Sequence, residues 1–196
     1  QYRPASNNED DWWLGTHWEG RLRFWAAEAV MAIVQEAIES DLIPGTMNGA
    51  GIDPERVYLF GHSIGGTGAW QIGLRYGHAF AAIHAHAGFV RFTGPVGPFT
   101  EQFQNDIVGA EGQGVIVRDE QGREHPARDF SSLAWWLTQH KNPAFDLPFV
   151  FFTAGTADDG VVIESGGDLI LPVLEEQKRG FMYCRHSGGH SDQVFV

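Results

Sequence analysis

The feature that most constrains this chain is an abrupt change of pattern at Gly61-His62-Ser63-Ile64-Gly65. Residues 56–60 before it have the composition of a short strand, whereas residues 67–76 after it have the composition of a helix. A strand that ends in Gly-x-Ser-x-Gly and becomes a helix at once makes a tight turn, where a Cβ at either glycine would collide with neighbouring backbone. Such a turn lifts the Ser63 hydroxyl above the strand end and places the Ile64 amide at the positive end of the helix dipole.

The rest of the chain alternates between predicted strands and helices. Strands are expected at residues 79–87, 147–154 and 180–185, with a helix at residues 169–179. This order predicts an α/β fold with a doubly wound, mainly parallel sheet, and we expect residues 1–196 to form a single domain.

An amphipathic helix is predicted ahead of the turn, over residues 21–39. Its expected apolar face consists of Leu22, Ala26, Ala29, Val30, Ile33 and Ala37.

Residues 88–146 are too long for a simple crossover between two strands, and we interpret them as a lid-like insertion. Within them, residues 115–126 predict a hairpin that turns near Gln121-Gly122. A helix is predicted over residues 131–139, which carry Trp135 and Trp136.

The candidate catalytic residues follow predicted strands. A serine hydroxyl needs a base to remove its proton, and the base needs an acid to fix its tautomer. Asp158 and Asp159 follow the strand at 147–154, and His186 and His190 follow the strand at 180–185. Since the carboxyl ends of parallel strands meet at one edge of the sheet, these side chains can converge on Ser63. We favour Asp158 as the acid and His190 as the base, because His190 lies in a glycine-rich loop that can reach over the serine.

Other histidines and tryptophans are candidates for substrate contacts. His84 and His86 alternate along one strand and share a face, but no third ligand follows at a recognisable spacing, so we predict no metal site. Strand histidines with satisfied hydrogen bonds are the better interpretation, and His86 lies near enough to the strand end to reach the rim of the site. His62 is a further candidate. Trp135 and Trp136, with Trp12 and Trp13, can form an aromatic wall for a substrate, although packing explains them equally well.

The charge of the chain excludes some partners. A net charge of −12 repels phosphate backbones and anionic lipids, so we expect neither nucleic acid nor a membrane surface as a partner. Cys184 is the single cysteine, which rules out an internal disulfide. We expect a secreted or periplasmic location, with the cytoplasm as the alternative.

Around these residues the chain resembles the α/β-hydrolase superfamily, and more closely the esterases that include feruloyl esterases and polyhydroxybutyrate depolymerases. The stretch from Ile52 to Gly66 is similar to their nucleophile elbow, Gly155-Thr156-Ala157-Asp158 to their acid loop, and Gly188-Gly189-His190 to their histidine loop. The resemblance covers roughly residues 20–90 and 145–192. It implies hydrolysis of small or polymer-derived carboxylic esters without a cofactor, with Ser63 as nucleophile and the Ile64 amide in the oxyanion hole.

The resemblance is incomplete in two places. The acid loop continues as Gly160-Val161-Val162-Ile163, where the family usually has Val-Pro. No strand followed by a His-Gly loop is recognisable ahead of Ser63, so the N-terminal strands of the fold are expected to be missing from this chain. We therefore expect a companion N-terminal segment of the same protein, which would pair with an open edge of the strand before Ser63 and donate a second oxyanion amide.

Two alternatives to an esterase stay open at this point. One is a serine peptidase of the prolyl-oligopeptidase type, which shares the elbow with a Gly-Gly continuation. The other is a non-catalytic binding module with the same fold.

Overall fold

The computed structural model describes residues 16–18, 21–23, 25–39, 52–88, 116–118, 123–126, 133, 137, 148–158 and 166–192. In chain order the elements are β1 (Thr16–Trp18), β2 (Arg21–Arg23), α1 (Trp25–Glu39), β3 (Tyr58–His62), α2 (Ile64–Arg75), β4 (Ala82–His86), β5 (Ile116–Arg118), β6 (Glu124–Pro126), β7 (Phe149–Gly155), α3 (Gly167–Glu176) and β8 (Phe181–His186).

The centre of the described structure is a four-stranded parallel sheet in the order β3-β4-β7-β8. The register places Leu59 beside Ile83 and Ile83 beside Val150. The predicted α/β fold with a parallel sheet is confirmed, and all three strands expected after the elbow are present with slightly shifted ends.

One face of this sheet is covered by helices. The α2 residues Trp70, Ile72 and Leu74 are buried, and the Trp70 and Phe152 ring centroids lie 5.4 Å apart. The α3 helix packs on the same face, because a Cβ at Gly167 would come within 2.4 Å of the Phe152 ring. The α1 helix contributes Ala27, with Val30 and Met31 packed against the core. The hydrophobic core therefore lies between this face and the three helices.

The opposite face is open at the end where the strands begin. Tyr58 and Phe60 of β3, Phe149 of β7 and Met182 of β8 have exposed side chains. At the other end of the same face, His86 and Thr153 are buried. The two ends of this face therefore have different environments.

The N-terminal elements differ from the prediction. Residues 21–23 are not helical but form β2, which pairs antiparallel with β1, so the helix begins at Trp25. Its packed stripe is also rotated from the expected one. Val30 packs against the core as expected, but Ala29 and Ile33 are exposed, and Ala27 and Met31 face the core instead. The helix has apolar residues on more than one side, so the side that faces the core is determined by tertiary packing and not by the sequence pattern.

The insertion is described in part. The predicted hairpin is confirmed, since Ile116–Arg118 pairs antiparallel with Glu124–Pro126. Leu133 and Leu137 are helical and buried, in agreement with the helix expected there. Trp135 and Trp136, like Trp12 and Trp13, lie outside the described residues.

Among the described strands, β3 lies at the edge of the four-stranded sheet, as the order of crossovers predicts. The companion segment expected to pair with this edge stays a prediction. None of the helices in the described ranges is long and apolar enough to cross a membrane.

Candidate active site

The serine lies on a strained turn between β3 and α2. Ser63 has φ 57° and ψ −120°, a backbone conformation that is unfavourable for any residue with a side chain. Its amide donates to the carbonyl oxygen of His86 at 2.9 Å, so the neighbouring strand holds the turn. A Cβ at Gly61 would lie 1.9 Å from the carbonyl oxygen of Gly65, which explains the first glycine of the motif.

The expected reason for the second glycine was wrong. Among the described residues, a Cβ at Gly65 would meet no atom within 4 Å outside its chain neighbours and its own helix backbone. The steric requirement falls on Gly66 instead, where a Cβ would lie 2.4 Å from the His86 carbonyl oxygen and 3.1 Å from Gly88. The start of α2 therefore crosses the end of β4 in close backbone contact.

The structure brings Ser63, His190 and Asp158 together in that order. His190 Nε2 lies 2.7 Å from Ser63 Oγ, and His190 Nδ1 lies 3.0 Å from both carboxylate oxygens of Asp158. A carboxylate only accepts hydrogen bonds, so Nδ1 carries a proton, and in the neutral imidazole Nε2 then presents its lone pair to the serine hydroxyl. This is the tautomer that a general base needs.

Asp158 is held by contacts between the loops that follow β7 and β8. The amide of Thr156 donates to the His186 carbonyl at 2.7 Å, and the amide of Ala157 donates to the Gly188 carbonyl at 3.0 Å. These bonds hold the Asp158 side chain beside His190. The Asp158 side chain is only 3% exposed there. Burial of the carboxylate strengthens its interaction with an imidazolium.

The alternative residues take different places. His186 Nδ1 accepts from the amide of Gly188 at 3.2 Å, and the ring stacks on His86 with centroids 5.6 Å apart. It is therefore engaged away from the serine. Asp159 lies outside the described residues.

The Ile64 amide is placed for an oxyanion. Ile64 is the first residue of α2, and amides in the first turn of a helix have no intrahelical partner. The Ser63 amide already donates to the His86 carbonyl, so it is not available for an oxyanion. The next amide, that of Ile64, is therefore the candidate donor to the oxygen of a reacting carbonyl. The second oxyanion amide stays a prediction.

His62 and His86 lie beside this site, with their rings stacked at a centroid distance of 4.9 Å. His86 Nδ1 lies 2.6 Å from Thr153 Oγ1, which is also 2.9 Å from His84 Nε2. The expected satisfied hydrogen bonds hold for His84 Nε2 and His86 Nδ1, but the buried His86 Nε2 has no partner among the described residues. Burial, helped by the neighbouring histidines, lowers the pKa of His86 to about 4.

The expected substrate contacts of His62, His86, Trp135 and Trp136 stay predictions. Sequence reasoning missed Thr153, whose hydroxyl joins two strand histidines. The alternation of His84 and His86 was the available signal, because it implied a polar neighbour on the adjacent strand. Within the ranges that the structure describes, no group of three or more metal-ligating side chains is arranged to hold a metal ion.

A family model described as "Esterase: Putative esterase" matches residues 2–147 of this chain. The chain belongs to this esterase family. The match includes the elbow and Ser63 and ends before Asp158 and His190. The closer resemblance to feruloyl esterases and polyhydroxybutyrate depolymerases stays a prediction.

Solved structures with the α/β-hydrolase fold are similar to the esterase chain. An S-formylglutathione hydrolase from Agrobacterium tumefaciens matches with a TM-score of 0.58 and 19% identity, over 92% of this chain and 56% of its own. The acylaminoacyl peptidase of Pyrococcus horikoshii matches with a TM-score of 0.59 and 14% identity, over 85% and 23%. Dipeptidyl peptidase 4 from Porphyromonas gingivalis matches with a TM-score of 0.53 and 19% identity, over 83% and 20%.

These likenesses support the fold and not a particular substrate, since the identities are low. The chain spans 56% or less of each of these three structures. Among curated protein sequences, none matches the chain.

Proposed function

We propose that this esterase-family chain hydrolyses carboxylic esters through Ser63, His190 and Asp158, with a covalent acyl-enzyme intermediate. The observation that carries the proposal is the position of His190, with Nε2 2.7 Å from Ser63 Oγ and Nδ1 3.0 Å from Asp158. An imidazole held between a carboxylate and a serine hydroxyl on a strained turn is the arrangement that activates a serine nucleophile.

In the first half of the proposed reaction, Ser63 Oγ attacks the carbonyl carbon of the ester while His190 Nε2 takes the hydroxyl proton. The carbonyl oxygen becomes an oxyanion, and the Ile64 amide donates a hydrogen bond to it. When the tetrahedral intermediate collapses, the bond to the alcohol oxygen breaks and His190 Nε2 returns its proton to that oxygen. The alcohol leaves, and the acyl group stays on Ser63.

In the second half, water replaces the alcohol. His190 Nε2 takes a proton from a water molecule, whose oxygen attacks the acyl carbon. Collapse of the second tetrahedral intermediate breaks the bond to Ser63 Oγ, which regains its proton from His190, and the acid is released. In both halves Asp158 keeps the imidazole in one tautomer and stabilises the imidazolium.

The proposed substrates are small or polymer-derived esters that fit beside the histidines at this end of the sheet. A peptidase reaction would use the same nucleophile and base, and two of the similar structures are peptidases. The similarity to these two peptidases concerns the fold and not the substrate. Comparing the rates on an ester and an amide substrate therefore distinguishes the two reactions. The third possibility, a binding module without turnover, keeps the residue types but not an activated serine.

A fluorophosphonate probe and two chromogenic substrates test the proposal. We expect the wild-type protein, with its expected companion segment present, to be labelled at Ser63 and to hydrolyse p-nitrophenyl acetate faster than a peptide p-nitroanilide. Ser63→Ala removes labelling and turnover, with a loss on the order of 10⁶-fold. Ser187→Ala, at an exposed serine in the histidine loop, is the matched control and keeps both.

The other outcomes separate the alternatives. Preferred cleavage of the anilide would assign a peptidase, and absence of both labelling and turnover in the wild type would assign a binding module. Turnover in Ser63→Ala above a tenth of the wild-type rate would overturn the role of Ser63.

A further inference from the structure

The backbone of His190 is bonded to a side chain that has no part in the proposed proton transfers. His62 Nε2 lies 2.8 Å from the carbonyl oxygen of His190, although the two residues are 128 positions apart in sequence. A carbonyl oxygen only accepts, so His62 donates its Nε2 proton. The two rings are close as well, with centroids 5.2 Å apart. His62 therefore contacts both the backbone and the ring of the proposed base.

His62 is itself held firmly. It is the last residue of β3, and its ring stacks on His86 at a centroid distance of 4.9 Å and an interplanar angle of 28°. His86 is 2% exposed, is bonded to Thr153, and stacks on His186 on its other side. The anchor of His190 is thus the end of a stack of three imidazoles, His62, His86 and His186, that is built on three strands of the sheet.

The loop that carries His190 needs such an anchor. It reads Ser187-Gly188-Gly189-His190, and consecutive glycines have many accessible backbone conformations. Ala157 donates to the Gly188 carbonyl before His190, and the Gly189 amide donates to Asp192 Oδ2 at 2.7 Å across it, but none of these bonds involves His190 itself. The His190 side chain is still 38% exposed, so packing alone does not immobilise it.

We propose that His62 is a positioning residue, which holds the His190 carbonyl so that the imidazole stays in hydrogen-bond contact with Ser63 and Asp158 together. This inference rests on the proposed function and adds a role for the residue directly before the nucleophile. The first variable position of the Gly-x-Ser-x-Gly motif, occupied by His62, would then help to position the catalytic base in this chain. His62 would set the geometry of proton transfer and not the affinity for substrate.

Two substitutions at position 62 separate the hydrogen bond from the ring. His62→Phe keeps an aromatic ring that can stack on His86 but has no donor for the His190 carbonyl. His62→Gln has no ring but carries an amide N–H at a similar reach. We expect His62→Phe to lower kcat for p-nitrophenyl acetate by about 10- to 100-fold, as a small displacement of a catalytic group does. KM should change less than about 3-fold, and His62→Gln should recover kcat to within about 5-fold of wild type.

Two further measurements report on His190 without relying on turnover of a particular substrate. The rate of fluorophosphonate labelling at Ser63 should fall in His62→Phe by the same factor as kcat, since both need the imidazole beside Ser63. The downfield proton resonance of His190 Nδ1–H in its bond to Asp158 should broaden or vanish in His62→Phe and persist in His62→Gln. A residue that only supports the fold would change thermal stability and leave these signals in place.

Several results would overturn the proposal. These are an unchanged kcat in His62→Phe, equal effects of the phenylalanine and glutamine variants, or a loss confined to KM, which would assign His62 to substrate binding instead. If His62→Phe fails to fold, His62→Asn replaces it, because the shorter amide cannot reach the His190 carbonyl and should show the same loss. Labelling of Ser63 in the wild type is measured in parallel. Absence of labelling there would refute the esterase mechanism itself, whereas normal labelling with no effect of the substitutions would refute only the role of His62.

Discussion

The two faces of the sheet have different compositions, and we expect them to contribute to different properties of the protein. On the helix-covered face, neighbouring strands contribute Ile83, Val150 and Phe152, all fully or almost fully buried. On the other face, β4 and β7 contribute His86 and Thr153 at the end near Ser63, His84 in the middle, and the exposed Phe149 at the far end. Because side chains alternate along a strand, one short sequence supplies both faces. The covered face carries the hydrophobic core, and the proposed active site lies at the end of the other face, so we expect substitutions on the two faces to affect different measurements.

The largest effect is expected at the acid, where activity should be lost without loss of the fold. Asp158→Asn keeps the shape of the side chain but removes the charge that stabilises an imidazolium at His190, so we expect kcat to fall by about 10⁴-fold. The midpoint of urea unfolding should shift little. Asp159→Asn is the matched control and should retain activity. Similar losses in the two variants would contradict the assignment of the acid to Asp158.

The next effect is expected on the covered face and should appear in stability. Phe152→Ala leaves a cavity beside Trp70 and Tyr183, whose ring centroids lie 5.4 and 5.1 Å from that of Phe152. We expect a loss of about 3–5 kcal/mol in the free energy of unfolding, measured by urea denaturation. The control is Phe149→Ala on the same strand, whose side chain is 44% exposed on the opposite face. If Phe149→Ala lowered the free energy of unfolding as much as Phe152→Ala, the two faces would not differ in their contribution to stability.

A smaller effect is expected from pH, through the buried histidine. The pKa of His86 is lowered from 6.5 to about 4, chiefly by burial, so between these values the unfolded chain binds a proton that the folded chain does not. Titration of His86 therefore leaves the free energy of unfolding unchanged above pH 6.5 and lowers it as the pH falls from 6.5 toward 4. From pH 7 to pH 5 we expect a loss of about 1–2 kcal/mol in the free energy of unfolding.

The control for this pH dependence is His86→Asn, which has no titrating group at the position and should lose that part of the slope. Burial also lowers the pKa of His84, which acts in the same direction and remains in the control. An unchanged slope in His86→Asn would show that other groups account for the acid sensitivity.

The smallest effect is expected at the open end of the histidine-bearing face. Tyr58 is 66% exposed, so Tyr58→Thr should change the free energy of unfolding by less than about 0.5 kcal/mol. Threonine retains the preference of this position for extended backbone. A loss above about 1 kcal/mol would show that this end of the sheet face is covered in solution.

The sequence predicts the elements that depend on local pattern. The Gly-x-Ser-x-Gly turn, the apolar strands and the hairpin in the insertion each carry their own signal over a few residues. The edge position of β3 could also be deduced, because successive right-handed crossovers move away from the first strand.

The features that were missed depend on contacts between distant residues. The packed side of α1 was misassigned because Ala29 and Ile33 fit a helical stripe as well as Ala27 and Met31 do. The stack of His62, His86 and His186 depends on the register of strands that are far apart in sequence. Local pattern contains no information on that register, so the bond between His62 and His190 could not have been predicted.

The bond between the Ser63 amide and the His86 carbonyl has a consequence for how the chain reaches its native state. The conformation of Ser63 costs about 1–3 kcal/mol, and it persists only where surrounding structure enforces it. That enforcement comes from β4, which follows the serine in the chain. If Ser63 is the nucleophile we propose, it should become reactive only after β4 has paired with β3, so the onset of probe labelling during refolding should report when that pairing forms.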